Sequence, residues 1–303
     1  MSNIVKKAIG VLKSPKKRTI ILAQRGFFKN MSDEDFLKMQ FKNVFGYPLD
    51  LDNPKTYSEK LQWLKLYDRK PEYTMMVDKY EVKKYVASKI GEEHIIKTLG
   101  VWDHFDDIDF AQLPNQFVLK CTHDSGGLVI CADKSKLDLA AAKKKIEKSL
   151  KNDYYMQNRE WPYKNVKRRI IAEEYMVDES GYELKDYKIF AFDGEAKAMF
   201  IASDRASDHV KFDYFDLEFN HLDIKQKYPH AQNTLRKPET FDKMIEFSKI
   251  LSKGFPHVRV DFYEVDGRLY FGELTFYHFS GFMPFEPSKW DKTFGDWIHL
   301  PKK

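Results

Sequence analysis

Phe117-Val118-Leu119-Lys120-Cys121-Thr122-His123-Asp124-Ser125-Gly126-Gly127-Leu128-Val129-Ile130-Cys131 reads as strand, turn, strand. Phe117, Leu119 and Cys121 alternate with Val118 and Lys120, the two-residue period of a half-buried strand. A small polar loop ending in two glycines leads to a second apolar run. Glycine permits positive φ and lets backbone approach a ligand closely. Lys120, on the less apolar face, adds a cation. Ammonium and backbone N–H groups together can hold an anion such as phosphate. A plain hairpin with Gly-Gly at its turn and a snorkelling lysine satisfies the same pattern. A Walker loop does not, because no Gly-Lys-Ser/Thr leads into a helix.

Composition bounds the rest. The chain has 303 residues, with 43% apolar and 15% aromatic content, enough for two domains or one elaborate one. Its two cysteines, Cys121 and Cys131, both fall in strand-like runs. Buried thiols in a reducing, cytoplasmic compartment are expected, not a disulfide framework or a zinc site. The net charge is +5, but residues 1–30 carry eight Lys or Arg and no acid, so the remainder sums to −3. This basic leader suits an anionic membrane surface, and a solvated terminus equally well. No signal peptide is expected, since Ile20-Ile21-Leu22-Ala23 is too short an apolar run. No run reaches the ~20 apolar residues of a membrane span. Nucleic acid is not an expected partner.

Upstream of the quoted stretch, Ser32-Asp33-Glu34-Asp35 predicts a helix start, with the helix ending before Gly46-Tyr47-Pro48. Asn53 to Lys60 opens a second helix, and Asp78-Lys79 a third that ends at Gly91. Lys79 at a helix start is a phosphate contact or a surface lysine. Downstream, Leu137 to Lys151 predicts a helix with Leu137, Ala140, Ala141, Ile146 and Leu150 inside. Asn152 to Lys167 reads as a mobile connection, and Arg168 to Met176 as a strand ending in two acids, Glu173 and Glu174. Tyr187–Phe192 and Ala196–Ala202 flank an Asp-Gly hairpin turn, and Pro238 to Lys253 is an amphipathic helix.

Two final strands frame the chemistry. In His257 to Tyr263 the valines and Phe262 face one way, Arg259 and Asp261 the other. A hairpin with Leu269 to Phe276 brings Asp261 towards Glu273. Facing carboxylates repel unless a cation or proton lies between them. Magnesium held by both and by substrate phosphates resolves this, as does an Asp261–Arg259 pair.

The order of these elements resembles the ATP-grasp superfamily: Asp-Lys at a helix start, a strand lysine before a glycine loop, Glu-Glu-Tyr-Met, then Asp and Glu on paired strands. More narrowly, Asn53-Pro54-Lys55-Thr56-Tyr57-Ser58-Glu59-Lys60-Leu61-Gln62-Trp63, the Leu119-Lys120-Cys121 loop, Asp186-Tyr187-Lys188, Phe271-Gly272-Glu273-Leu274-Thr275 and Trp290-Asp291-Lys292 resemble the TupA-like ATP-grasp family, named for teichuronopeptide biosynthesis. The resemblance runs from about residue 35 to 300.

It implies an α+β, ATP-grasp fold in which two α/β subdomains clamp ATP. Residues 1–72 would be a short helical lead-in and 73–303 the ATP-grasp domain, with a lid at about 115–170 and a metal-binding subdomain at about 171–303. Lys79 and Lys120 match the phosphate lysines, and Ser125, Gly126 and Gly127 the loop over the phosphates. Glu173, Glu174 and Met176 match the adenine hinge, and Asp186 a ribose-binding acid. Asp261 and Glu273 match the Mg2+ ligands, and Arg259 a cation beside the acyl phosphate. Thr275 stands where the third ligand is commonly Asn, and Tyr277-His278-Phe279-Ser280-Gly281 is bulkier than the usual acceptor loop.

The implied activity is ATP-dependent joining of a carboxylate, such as a uronic-acid-containing glycan or precursor, to an amine. It would serve cell-surface polysaccharide biosynthesis in the cytoplasm or at the inner face of the membrane. A glycosyltransferase or kinase of that pathway and a non-catalytic nucleotide-binding scaffold are the alternatives. Asp107-Ile108-Asp109 fits a glycosyltransferase metal motif, but in an acidic loop.

Overall fold

The computed structural model describes residues 15–205, 207 and 209–302, so Lys6, Lys7 and Lys13 of the basic leader lie outside the described residues. Two antiparallel sheets carry the fold. Strands β1 (Thr98–Trp102), β2 (Phe117–Cys121), β3 (Leu128–Cys131) and β4 (Ile170–Glu174) form the smaller, in the order β1-β4-β2-β3. Lys120 pairs opposite Leu128 and Ile171. Phe117, Leu119 and Cys121 are buried beneath it, as their alternation predicts. The small sheet therefore begins before residue 115 and ends beyond 170, wider than the expected lid. Cys121 and Cys131 are free and buried, and burial pushes the Cys121 thiol up to about 12.

The larger sheet is built from β5 (Asp186–Phe192), β6 (Glu195–Ser203), β7 (Lys211–Phe215), β8 (His221–Leu222), β9 (Val258–Val265) and β10 (Arg268–Thr275), in the order β10-β9-β5-β6-β7-β8. β5 is buried along its whole length. Asp193-Gly194 turns into β6 with both residues at positive φ, the pairing that Asp-Gly favours.

The first helices form the expected helical lead-in, packed onto this layer. Ala23 of α1 (Pro15–Gln24), Phe36 of α2 (Asp33–Phe45) and Leu61 of α3 (Tyr57–Tyr67) share one hydrophobic core with the large sheet. Ala23 and Phe28 anchor the described part of the basic leader in this core. Ser32 caps α2 and Thr56 closes a capping box with Glu59 on α3. Asn53 to Trp63 and Trp290-Asp291-Lys292 meet each other: Asp291 accepts from Ser58 N–H and Oγ, both at 2.9 Å. Lys60 donates to the carbonyls of Gly295 and Ile298, both at 2.8 Å, at the end of α9 (Lys289–Trp297). These motif residues fasten the two ends of the chain together. Asp291→Ala should therefore cost about 1.5–3 kcal/mol of stability, read from urea unfolding, with nucleotide binding unchanged.

Two helical expectations are corrected. In α6 (Leu139–Leu150) the buried side chains are Ala142, Ile146 and Ser149, while Ala140 and Ala141 are exposed, because only residues three or four positions from Ile146 share its face. The stretch 152–167 is no loose connection. Arg159 is 1% exposed, donates to Phe28 O at 2.6 Å and faces Asp33 at 3.3 Å. A buried guanidinium must be paired, so it ties this segment to the N-terminal helices.

His257 sets an acid limit. It is buried, its Nδ1–H donates to Ala191 O at 3.1 Å, and Nε2 accepts from the Tyr57 hydroxyl at 2.9 Å. Burial pushes its imidazole down to about 3. Unfolded histidine titrates near about 6.5. Between those values the unfolded chain takes a proton that the fold refuses, so this stability is present above 6.5 and lost as pH falls through the window. Urea midpoints should drop on acidification below about pH 6.5; a flat profile to about pH 4 would contradict a buried neutral His257.

Candidate active site

Two adjoining cavities lie between the sheets. The first, of 260 Å³, is mainly apolar, with Ile96, Val118, Leu128, Met176, Leu184 and Tyr263 among its walls. Glu173 and Glu174 also line it. The second, of 130 Å³, is polar, and Lys79, Lys120, Ser125, Gly127, Lys188 and Glu273 line it. Asp107 and Asp109 line neither.

Glu173 joins the two cavities. Its carboxylate is 2.6 Å from Lys120 Nζ and 2.5 Å from Lys83 Nζ. Burial raises its proton affinity, but the two ammonium groups outweigh that and hold it down at about 2. Lys83 also donates to Ile96 O and Thr98 Oγ1, which fixes it as scaffold. Lys120 is freer to turn into the cavity.

The glycine loop differs from expectation in its physics. Neither Gly126 nor Gly127 has positive φ. Gly127 is required by close packing: a Cβ there would lie 2.4 Å from Cys121 Sγ and 2.6 Å from Ser149 Oγ. Asp124 holds the loop's shape by accepting from Gly127 N–H at 3.0 Å and from the Ser149 hydroxyl. Ser125 and Gly126 remain exposed. Lys79 precedes α5 (Glu81–Ile90). It donates through Nζ to Asp124 O at 2.6 Å, through its backbone to Thr122 O at 3.1 Å, and lies 3.9 Å from Glu273. Lys79 thus spans from the loop to the large sheet.

Asp261 and Glu273 face each other across β9 and β10 because of a bulge. Phe271 pairs with Phe262 and Glu273 with Asp261, leaving Gly272 as the extra residue. A Cβ at Gly272 would be 3.0 Å from Asp261 O, so only glycine fits without displacement. Asp261 is wholly buried, bonded to Arg259 Nε and Nη2 at 2.7 Å each and to Lys188. The Asp261–Arg259 pair and the facing acids therefore coexist. Glu273 is more open, its side chain 37% exposed. Burial raises its proton affinity, and Lys79, Lys188 and Arg259 outweigh it, holding the carboxyl at about 2.

Arg259 is a hub. Beyond Asp261 it reaches Thr275 Oγ1 at 3.0 Å, Glu273 at 3.4 Å and His278 Nδ1 at 2.7 Å. Guanidinium only donates, so His278 Nδ1 accepts and its Nε2–H donates to Gln226 Oε1 at 3.0 Å. Burial lowers the His278 pKa well below its ordinary value, keeping it neutral. The turn that follows is strained: Phe279, Ser280 and Gly281 all have positive φ. Lys65 Nζ and Gln62 Nε2 donate to the Ser280 carbonyl, and the Ser280 hydroxyl donates to Glu160 at 2.5 Å.

Asp186 lines the polar cavity, bonded to Arg205 and 3.4 Å from Lys188. Two further residues belong to the constellation. Lys188, within the quoted Asp-Tyr-Lys, stands between Asp186 and Asp261, and its signal was a lysine facing into a buried strand. Glu160 had none: its burial depends on the fold of residues 152–167. The oxygen donors of Asp261, Glu273 and Thr275 form a hard set suited to Mg2+. Glu273 stays ionised against the open cavity, and Asp261 keeps lone pairs beyond its hydrogen bonds.

A family model described as TupA-like ATPgrasp matches residues 59–299. None of the curated proteins matches the chain. Among solved structures, a D-alanine–D-alanine ligase from Bacillus anthracis complexed with ATP is 15% identical, TM-score 0.41, over 66% of this chain and 53% of that one. The chain thus spans about half the length of that ligase. The Helicobacter pylori D-alanine–D-alanine ligase is 18% identical, TM-score 0.41, over 82% and 70%. The ATP-grasp ligase PsnB, complexed with minimal precursor, Mg and ADP, is 9% identical, TM-score 0.38, over 83% and 64%.

Proposed function

The chain belongs to the TupA-like ATP-grasp family, and from that premise we propose that it is an ATP-dependent carboxylate–amine ligase working through an acyl phosphate. The observation that carries this reading is a polar cavity lined by Lys79, Lys120, Lys188 and Glu273 beside an apolar one, with the buried Asp261 paired opposite Glu273. Adenine would occupy the 260 Å³ cavity, read by the Glu173 carboxylate and by the backbone of Glu174 and Met176. Lys79, Lys120 and Lys188 would neutralise the phosphates beneath Ser125, Gly126 and Gly127. Asp186 is better suited to orienting Lys188 than to binding ribose.

Asp261 and Glu273, with the Thr275 hydroxyl, would hold Mg2+, which supplies charge neutralisation at the transferring phosphoryl group. A substrate carboxylate oxygen attacks the γ-phosphorus and ADP leaves. The amine then attacks the acyl carbon, phosphate leaves, and the nitrogen loses a proton. Arg259 is committed to Asp261 and His278, so its part is to hold this acidic cluster in shape and offer positive charge at its edge. The Ser280–Glu160 hydrogen bond would hold the acceptor loop from Tyr277 to Gly281 in place. The nucleotide would lie between the two sheets, the smaller acting as the lid.

The carboxylate would be a uronic-acid-containing glycan or its precursor, in cell-surface polysaccharide biosynthesis, at the cytoplasmic face of the membrane, with residues 1–30 adding peripheral attachment. The family resemblance and the leader's charge support this. No helix among the described residues is long and apolar enough to cross a membrane. A coupled ADP-release assay with mixed uronic acids and amines tests the reading. ADP release should require a carboxylate substrate. Phosphate transferred to a sugar hydroxyl, with the carboxylate unmodified, would overturn it in favour of a kinase.

A further inference from the structure

Away from the cleft, Asp213, His221 and His230 converge at the β7–β8 edge of the large sheet. One ligand atom from each lies within 4.8 Å of the other two. His221 Nε2–H and Asp213 Oδ1 are bonded to each other, and an ion would replace the proton between them. Asp213 is buried, and its Oδ2 accepts from Ala231 N–H at 3.0 Å, which turns Oδ1 towards His221 Nε2, also at 3.0 Å. His230 Nε2 must be the protonated nitrogen, because it meets the carbonyl of Ile224 at 2.8 Å. Its Nδ1 therefore carries the lone pair, with a backbone acceptor fixing the tautomer, the arrangement usual for a ligating histidine. The two imidazoles lie 4.7 Å apart at 71°, not stacked.

We propose that Asp213, His221 and His230 bind a divalent first-row transition ion, with zinc as the first choice. Two imidazoles and one carboxylate suit zinc in number and type, with water in the fourth position. Bonds of ~2.0–2.1 Å put tetrahedral ligand atoms about 3.3 Å apart, so the widest separation in the group must contract by up to about 1.5 Å. His221, with its side chain 43% exposed, is free to make that movement. The competing account is a His221–Asp213 hydrogen bond with His230 nearby by chance. The ion would staple β7, β8 and the segment up to His230. That segment carries Gln226, whose side chain holds Tyr214, His278 and the Met283 carbonyl. The site is separate from the hard-oxygen pair at Asp261 and Glu273 and does not depend on the ligase reading.

The test uses full-length protein stripped with chelator and then held in saturating Mg2+ to occupy carboxylate sites. Zinc titration by calorimetry should give one ion per chain and a rise in Tm, since binding only the folded state stabilises it. Co2+ in place of zinc should give the visible absorption of a low-symmetry nitrogen–oxygen site. His221→Ala and His230→Ala should each lose stoichiometric binding and the zinc-induced Tm rise, each variant compared with its own metal-free Tm. His104→Ala, at an exposed histidine elsewhere, should lose neither. No stoichiometric zinc in wild type, or zinc retained in His230→Ala, overturns the proposal. Should His230→Ala fail to fold, His221→Ala decides by the same criterion.

Discussion

Glu273→Gln should lower turnover by about 10²–10³-fold, the usual loss when one preorganised charge at a reacting group is removed, while the melting temperature stays near that of wild type. Glu273 is partly exposed and its contacts are long, 3.4 Å to Arg259 and 3.9 Å to Lys79, so little of the fold depends on it. Raising Mg2+ should restore part of the rate. With hydroxylamine as trap, wild type plus ATP and carboxylate should give a hydroxamate and the variant none. Asp261→Asn should behave differently. It leaves Arg259 and Lys188 buried without their shared anion, and breaking such a pair costs about 3–5 kcal/mol. Turnover and stability should fall together. The two variants thus separate a metal-binding role from a structural one. Normal turnover in Glu273→Gln would refute the metal-ligand assignment.

Lys120→Ala should raise the Kd for ATP about 10- to 100-fold, equivalent to about 1.5–3 kcal/mol for a hydrogen bond to a charged group. Stability should change little, because Lys83 still neutralises Glu173 at 2.5 Å. Lys83→Met supplies the contrast. Lys83 lines neither cavity and is bonded to Ile96 and Thr98, so its loss should destabilise the fold more than it weakens ATP. Equilibrium nucleotide titration and urea unfolding of both variants check this. If Lys120→Ala unfolds or binds ATP normally, Lys120 is scaffold.

Local pattern carried much of this arrangement. The period-2 alternation at Phe117 to Cys121 places Lys120 on a cleft-facing side, and the Asp-Gly turn and the cap at Ser32 are read from residue type. The facing of Asp261 and Glu273 was half legible: a hairpin predicts that they approach, but the Gly272 bulge sets the register, and one glycine in a strand does not announce on which side it bulges. What local pattern missed depends on distant packing. Arg159 and Glu160 sit in a stretch that reads as polar and mobile, and only Phe28, Asp33 and Ser280, far away in sequence, make their burial tolerable. The glycines at 126 and 127 were assigned to turn conformation, whereas Gly127 is demanded by Cys121 and Ser149, which no local rule connects.

Activation of a carboxylate by phosphorylation leaves a mark on the released phosphate. The most direct measurement follows oxygen. A carboxylate substrate labelled with ¹⁸O in both oxygens is turned over with ATP and an amine, and the released phosphate is analysed by mass spectrometry. Each phosphate should carry one ¹⁸O, because the attacking carboxylate oxygen leaves with phosphorus when the amine displaces it. Unlabelled phosphate would contradict it.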